Sequence, residues 1–168
     1  MADRPGSRLA WAAFVAGLAY AVVSVAWALG TTWALDTVGG SLERAGRAGN
    51  SALALIVWFS ALLKLTAAGL GLAVVLPSLP PRRLVVVAAW TAAVVLTVYG
   101  GALTLGGLLV QADVIHASPD ADHRALAWHA YFWDPWFLGW GLLLTAALWR
   151  SRSRRSSTSP ERSTVRVR

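Results

Sequence analysis

Residues 52–76 read ALALIVWFSALLKLTAAGLGLAVVL, an apolar run that is interrupted by a single charge, Lys64. A helix that crosses the hydrocarbon core of a membrane needs about 20 such residues. Pro77, Pro80 and Pro81 follow the run, and proline interrupts helical hydrogen bonding. The stretch therefore predicts a membrane-spanning helix that ends at these prolines.

Three further apolar runs have a similar length, at 9–29, 84–110 and about 125–149. With 57% hydrophobic and 14% charged residues, the chain lacks the polar surface of a soluble domain. We therefore predict an all-α fold, an integral membrane four-helix bundle formed by a four-span transmembrane domain at 1–150. The remaining segment, 151–168, is rich in serine and arginine and has little apolar surface to bury, so we expect a disordered basic tail.

The basic residues predict the orientation of these spans. Two arginines precede the first run, two lie between the second and third runs, and seven lie from Arg150 onward. The other connections hold only Arg44, Arg47 and Arg124. Because cytoplasmic loops carry the excess of arginine and lysine, both termini are predicted to be cytoplasmic in a multi-pass protein of the plasma membrane.

Several function classes find no support in the residues. The chain has no cysteine, which excludes disulfides, cysteine nucleophiles and thiolate metal sites. His116 and His123 lie in an acidic loop without helical spacing, so no metal site is predicted. No phosphate-binding glycine loop or catalytic motif is present, so no cofactor is predicted and an enzyme is not the favoured interpretation. The net charge of +7 comes mainly from a tail without aromatic residues for base stacking, which disfavours nucleic-acid binding.

Two charges fall within the predicted spans. Lys64 lies about 18 Å from either end of the second span, too deep for its side chain to reach the membrane surface. Asp134 lies about 22 Å from the cytoplasmic end of the fourth span. Since these depths agree within one helical turn, we predict an ion pair between Lys64 and Asp134.

The fourth run contains the stretch WHAYFWDPWFLGW at 128–140. Pro135 removes a backbone donor, so we predict a helix broken at Asp134–Pro135, with Asp134 as N-cap of the second half. Two interpretations of the buried charges stay open. They either hold two helices in register or line an outward-opening polar pocket, whose candidate residues are Lys64, Asp134, His129, Asp36, Trp133 and Trp136.

The loop LGTTWALDTVGG, the lysine of LLKL and the motif WDPWFLGWG together give the chain a family resemblance. Over roughly residues 9–149, it resembles a family of small bacterial four-span membrane proteins. That family is catalogued as domain of unknown function 3995. The resemblance implies a four-span fold in the bacterial inner membrane. It implies no activity, substrate or catalytic residue.

Three function classes follow from these observations. The favoured one is a small binding or accessory membrane protein in the lipid bilayer, which contacts a lipid or small apolar ligand, or a partner protein, through its tryptophan-rich outer half. The second is a transporter or channel component, in which Lys64 and Asp134 bind substrate or relay protons and the chain forms a homo-oligomer. The third is a membrane-embedded enzyme acting on a lipid-like substrate, with His129 as general base beside Asp134.

Overall fold

The structure is a computed structural model that describes residues 6–75 and 83–156. Within these ranges the chain forms six α-helices: α1 (Ser7–Ala28), α2 (Gly40–Arg47), α3 (Ser51–Val75), α4 (Arg83–Gln111), α5 (His123–Trp128) and α6 (Asp134–Ser156). A 3₁₀ turn, Leu35–Thr37, precedes α2, and a π-helical turn, His129–Trp133, joins α5 to α6. The described residues contain no β-strand, which confirms the predicted all-α class.

Among the described residues, three helices are long and apolar enough to cross a membrane: Ser7–Ala28, Ser51–Val74 and Arg83–Gln111. Their bounds agree within two residues with the predicted runs at 9–29, 52–76 and 84–110. The fourth predicted run, 125–149, corresponds to α5, the π turn and most of α6. Asp134 and Pro135 begin α6, and arginines occupy its last turns, so α6 alone lacks the sustained apolar composition of the other three.

The basic tail begins later than predicted. α6 continues to Ser156, so residues 151–156 are helical instead of part of a disordered segment. Arginines near the end of a helix are favoured there, because the helix dipole places partial negative charge at the carboxyl end. The rest of the predicted tail, 157–168, lies outside the described residues, as does most of the short connection predicted at 78–83.

The long helices pack mainly as two pairs, α1 with α3 and α4 with α6, and α6 also contacts α1 and α3. The α4–α6 pair is close because glycines lie at its contact points. A Cβ atom added at Gly141 would lie 2.6 Å from the backbone nitrogen of Thr97, and one added at Gly100 would lie 2.5 Å from that of Leu138. This interface therefore brings two backbones together without intervening side chains.

α6 provides the centre of the core. Trp140, Leu144 and Leu148 are its fully buried large side chains, and they pack against small residues of the neighbouring helices, such as Ala13 and Ala93. In contrast, α3 exposes a broad apolar face that includes Ile56, Phe59 and Leu62. Apolar side chains on an exposed helix face suit a hydrocarbon environment.

The interruption around Asp134–Pro135 differs in form from the predicted break. Asp134 has helical backbone angles, φ −76° and ψ −41°, and is the first residue of α6 instead of an extended N-cap. The helical path continues through the π turn that precedes it. A π turn widens the helix, which accommodates the proline ring and its missing N–H without a sharp kink.

Candidate functional site

Lys64 lies near the middle of α3 and contacts a hydroxyl group and two aromatic rings. Its Nζ atom donates a hydrogen bond to the Oγ atom of Ser24 at 2.6 Å. The same atom lies 4.5 Å from the ring centroid of Tyr20 and 5.9 Å from that of Phe137. Ring faces attract a cation, and this attraction strengthens where water is excluded. The ammonium group is therefore held by α1 and α6, although no carboxylate is involved.

The predicted ion pair between Lys64 and Asp134 is wrong. Among the described residues, Lys64 bonds Ser24, whereas Asp134 bonds His129. The physical reason is the position of Tyr20. Its ring lies beneath the ammonium group and packs against Trp133, the neighbour of Asp134, with a centroid distance of 5.4 Å. An aromatic side chain thus fills the space between the two charges.

Asp134 and His129 form a second polar cluster within the π turn. The Nδ1 atom of His129 lies 3.2 Å from the Oδ1 atom of Asp134, and the carboxylate side chain is buried. In the tautomer that carries the proton on Nδ1, the imidazole donates this bond. A π-helical turn has i to i+5 hydrogen bonding, which brings residues five apart to one side. The turn therefore brings His129 and Asp134, five residues apart in the sequence, into contact.

The connection between α1 and α3 folds onto this cluster. Trp133 donates a hydrogen bond from Nε1 to the buried Oγ1 of Thr37 at 3.0 Å. Asp36 forms an ion pair with Arg124, with 2.7 Å between Oδ2 and a guanidinium nitrogen. Asp36 thus contributes to docking of this connection and does not join Lys64.

Trp136 and Trp140 of α6 face α1. Trp136 donates from Nε1 to the backbone carbonyl of Ala16 at 3.1 Å, and its ring packs against Tyr20. Trp140 lies so close to Gly17 that a Cβ atom there would be 2.5 Å from the indole ring. Trp133, whose ring packs against Tyr20 and Trp27, contacts α1 as well. Trp133 and Trp136 thus join neighbouring parts of the fold through hydrogen bonds to Thr37 and Ala16.

A groove of about 480 Å³ lies between α3 and α4. We call it the α3–α4 groove. Its size falls within the range of about 300–1,000 Å³ that is typical of small-molecule sites. Among the residues that line it, only Lys64 is charged, and most of the others are aliphatic or aromatic: they include Leu63, Ala67, Ala88, Ala92, Phe137 and Trp140. The cation thus lies at the wall of an apolar groove.

The structure divides the six predicted site residues into two groups. The first group lies at the start of α6 and on the connection docked there, and consists of Asp134, His129, Trp133 and Asp36. The second group is Lys64, at the α3–α4 groove. Trp136 packs on Tyr20 between the two groups. Sequence reasoning missed Tyr20 and Ser24, which lie four residues apart on one face of α1. Their spacing was the available signal, because an isolated lysine in a membrane helix requires polar or aromatic neighbours.

Over residues 6–75 and 83–156, these features define an all-helical protein with three helices suited to membrane spanning and a lysine at the wall of an apolar groove. The sequence profile of one protein family, described as "Protein of unknown function (DUF3995)", matches residues 17–144. The chain belongs to this family. No curated protein matches the chain, and neither does any solved structure.

Proposed function

We propose that the chain is a four-span membrane protein that binds a small lipid-like molecule in the α3–α4 groove, with Lys64 as the anchoring group. The observation that carries this proposal is the placement of one ammonium group at the wall of an otherwise uncharged, largely apolar groove. Ligand sites combine such an apolar surface with a few polar groups that orient the ligand.

The bonding of Lys64 supports this proposal. An ammonium group has three N–H donors, and Ser24 accepts one of them. The Ser24 hydroxyl in turn donates to the backbone carbonyl of Tyr20, so its own hydrogen is already used. Lysine within a membrane span costs about 2.5–3.5 kcal/mol on insertion scales. A ligand that supplies an acceptor to the remaining N–H groups would offset part of this cost.

The proposal includes a membrane topology. α1, α3, α4 and the continuous path through α5, the π turn and α6 each cross the membrane once. The basic ends of the chain then face the cytoplasm of a bacterial cell, and the connections after α1 and α4 face outward. In this arrangement, Lys64 lies about 20 Å from Ser51 and about 16 Å from Val75 along α3, close to the membrane centre.

Cysteine labelling tests this topology, because the natural chain contains no cysteine to remove. We expect Ser41→Cys and Ser118→Cys, two exposed positions, to react with a membrane-impermeant maleimide on intact cells. Ser78→Cys and Ser163→Cys should react only after the cells are lysed. Labelling of all four positions from one side, or the reverse pattern, would contradict the proposed topology.

Filling the groove tests the binding function. Ala88 is exposed and lines the groove, so Ala88→Phe should obstruct it while leaving the core unchanged. We expect the lipid-like molecule that copurifies with the detergent-solubilised protein to decrease about tenfold, as overpacking of about 1–3 kcal/mol implies. Mass spectrometry of the extracted lipids measures the change.

The matched control is Ala102→Phe, which introduces the same ring at an exposed alanine of the same helix. It should retain the wild-type amount of the bound molecule. Lys64→Met should lose the molecule as Ala88→Phe does, because it removes the anchoring group and keeps the side-chain length. Equal amounts of the same lipids in all four proteins would refute binding in the groove.

A further inference from the structure

We infer that the ligand of the α3–α4 groove is a lipid quinone, a planar ring with carbonyl oxygens attached to a long apolar tail. This inference rests on the proposed function and specifies the chemistry of the molecule that Lys64 anchors. Three properties of the groove lead to it: the depth of the ammonium group, the absence of a charged partner for it among the described residues, and the aromatic rings around it.

The depth of Lys64 argues against a phospholipid. The groove extends along α3 from Ser60 to Leu70, around the middle of that helix, and along α4 from Ala88 to Leu96, in the first half of that helix. A phospholipid keeps its phosphate at the membrane surface, about 16–20 Å from Lys64 by helical rise. Its acyl chain would then lie against the ammonium group, and hydrocarbon offers no acceptor. The ligand must carry its polar group to the membrane interior.

The energetics of burial favour a carbonyl over a carboxylate. Transferring an ionised carboxylate out of water costs far more than transferring a neutral polar group. A fatty acid would pay this cost to bring its head to Lys64. A ketone oxygen is a neutral acceptor that is easily desolvated, and it bonds an N–H group of lysine directly. The head of a quinone carries only hydrogen-bond acceptors. It therefore matches the ammonium group of Lys64, which has only hydrogen-bond donors.

The aromatic surroundings favour a planar head. Phe137 and Trp140 both line the groove, and their ring planes are tilted by only 33° to one another. The ammonium group lies 5.9 Å from the Phe137 ring centroid. A flat ring stacked on Phe137 would thus place an oxygen within reach of Lys64. The aliphatic side chains farther along the groove, such as Leu70 and Ala88, would contact the first part of the tail.

Binding of defined probes to the full-length protein tests the inference. The protein is reconstituted in phosphatidylcholine nanodiscs and titrated with ubiquinone-2, menaquinone-2 or oleic acid, with saturable quenching of tryptophan fluorescence or a rise in the unfolding temperature as readout. We expect a quinone to bind wild type and Ala102→Phe with equal affinity. Lys64→Met should bind it at least about tenfold more weakly, since a hydrogen bond to a charged donor is lost. Ala88→Phe should also bind it at least about tenfold more weakly, because the added ring obstructs the groove.

The outcomes separate the two proposals. Saturable binding of oleic acid alone, abolished by Ala88→Phe, would overturn the quinone inference and retain the groove as a lipid site. Quinone binding that is unchanged in Lys64→Met would also overturn the inference. Failure of every probe to bind, together with equal copurified lipid in wild type and Ala88→Phe, would overturn both. The unfolding temperature of each variant without a probe verifies that the variant is folded.

Discussion

Replacing Trp133 by alanine is expected to lower the free energy of unfolding by about 3–5 kcal/mol, the usual cost of removing a buried tryptophan. Trp133 is 4% exposed. Its ring contacts Tyr20 and Trp27, with centroid distances of 5.4 Å and 5.7 Å, and its Nε1 donates to Thr37. The substitution therefore removes packing between α1 and the π turn, and it leaves the buried Thr37 hydroxyl without this donor.

The same substitution should release the α1–α3 connection. Trp133 holds the 3₁₀ turn that precedes α2, so its loss should make trypsin cleave faster after Arg44 and Arg47. Denaturant unfolding in detergent and limited proteolysis measure the two effects. Trp128→Ala is the matched control, because Trp128 is 39% exposed and lies outside this contact, and it should cost only about 1 kcal/mol. Equal losses in both variants would show that Trp133 does not fasten this connection.

Gly141→Ala should destabilise the α4–α6 pair by at least about 2 kcal/mol. The added Cβ would lie 2.6 Å from the backbone nitrogen of Thr97 and 2.9 Å from the backbone carbon of Leu96. A flexible side chain moves aside at little cost, but a helix backbone does not. The two helices must therefore separate, which loosens the contacts of Trp140 and Leu144 next to the substituted site.

Gly139→Ala provides the comparison, since Gly139 lies on the same helix and a Cβ there would meet no atom within 4 Å. Alanine is a better helix former than glycine by about 0.8–1.0 kcal/mol, so this variant should be neutral or slightly more stable. Thermal unfolding of both variants in one detergent measures the difference. A Gly141→Ala protein as stable as Gly139→Ala would mean that the close backbone contact is not maintained in solution.

The sequence was sufficient to predict the helical class and three membrane-suited helices. These features depend on the length and composition of continuous runs, such as 84–110, and every residue in a run contributes to the signal. Lys64 was also singled out from the sequence, because a charge within such a run is conspicuous. Its partner was not predicted correctly. Counting residues along two helices gives the depth of Lys64 and Asp134 but not the direction in which each side chain points.

Two structural facts determine those directions, and both depend on tertiary packing. The π turn changes the angle at which residues before Asp134 leave the helix, so that His129 reaches the carboxylate. The ring of Tyr20, which comes from a third helix, occupies the space below the ammonium group. The α3–α4 groove could not be predicted either. It arises because α3 packs mainly on α1 and α4 packs mainly on α6, so that α3 and α4 contact each other less extensively.

The π turn has one further consequence for the geometry of this chain. Successive residues of an α-helix are separated by a rotation of about 100°, and a π turn holds one additional residue within the same path. The extra residue acts as a rotational offset between the parts of the chain before and after His129–Trp133. This offset sets how the side chains that meet the α1–α3 connection are rotated relative to those of α6 that border the groove. Insertion or deletion of a single residue in the turn would rotate one of these two parts of the chain by about 100° about the helix axis while leaving the other in place.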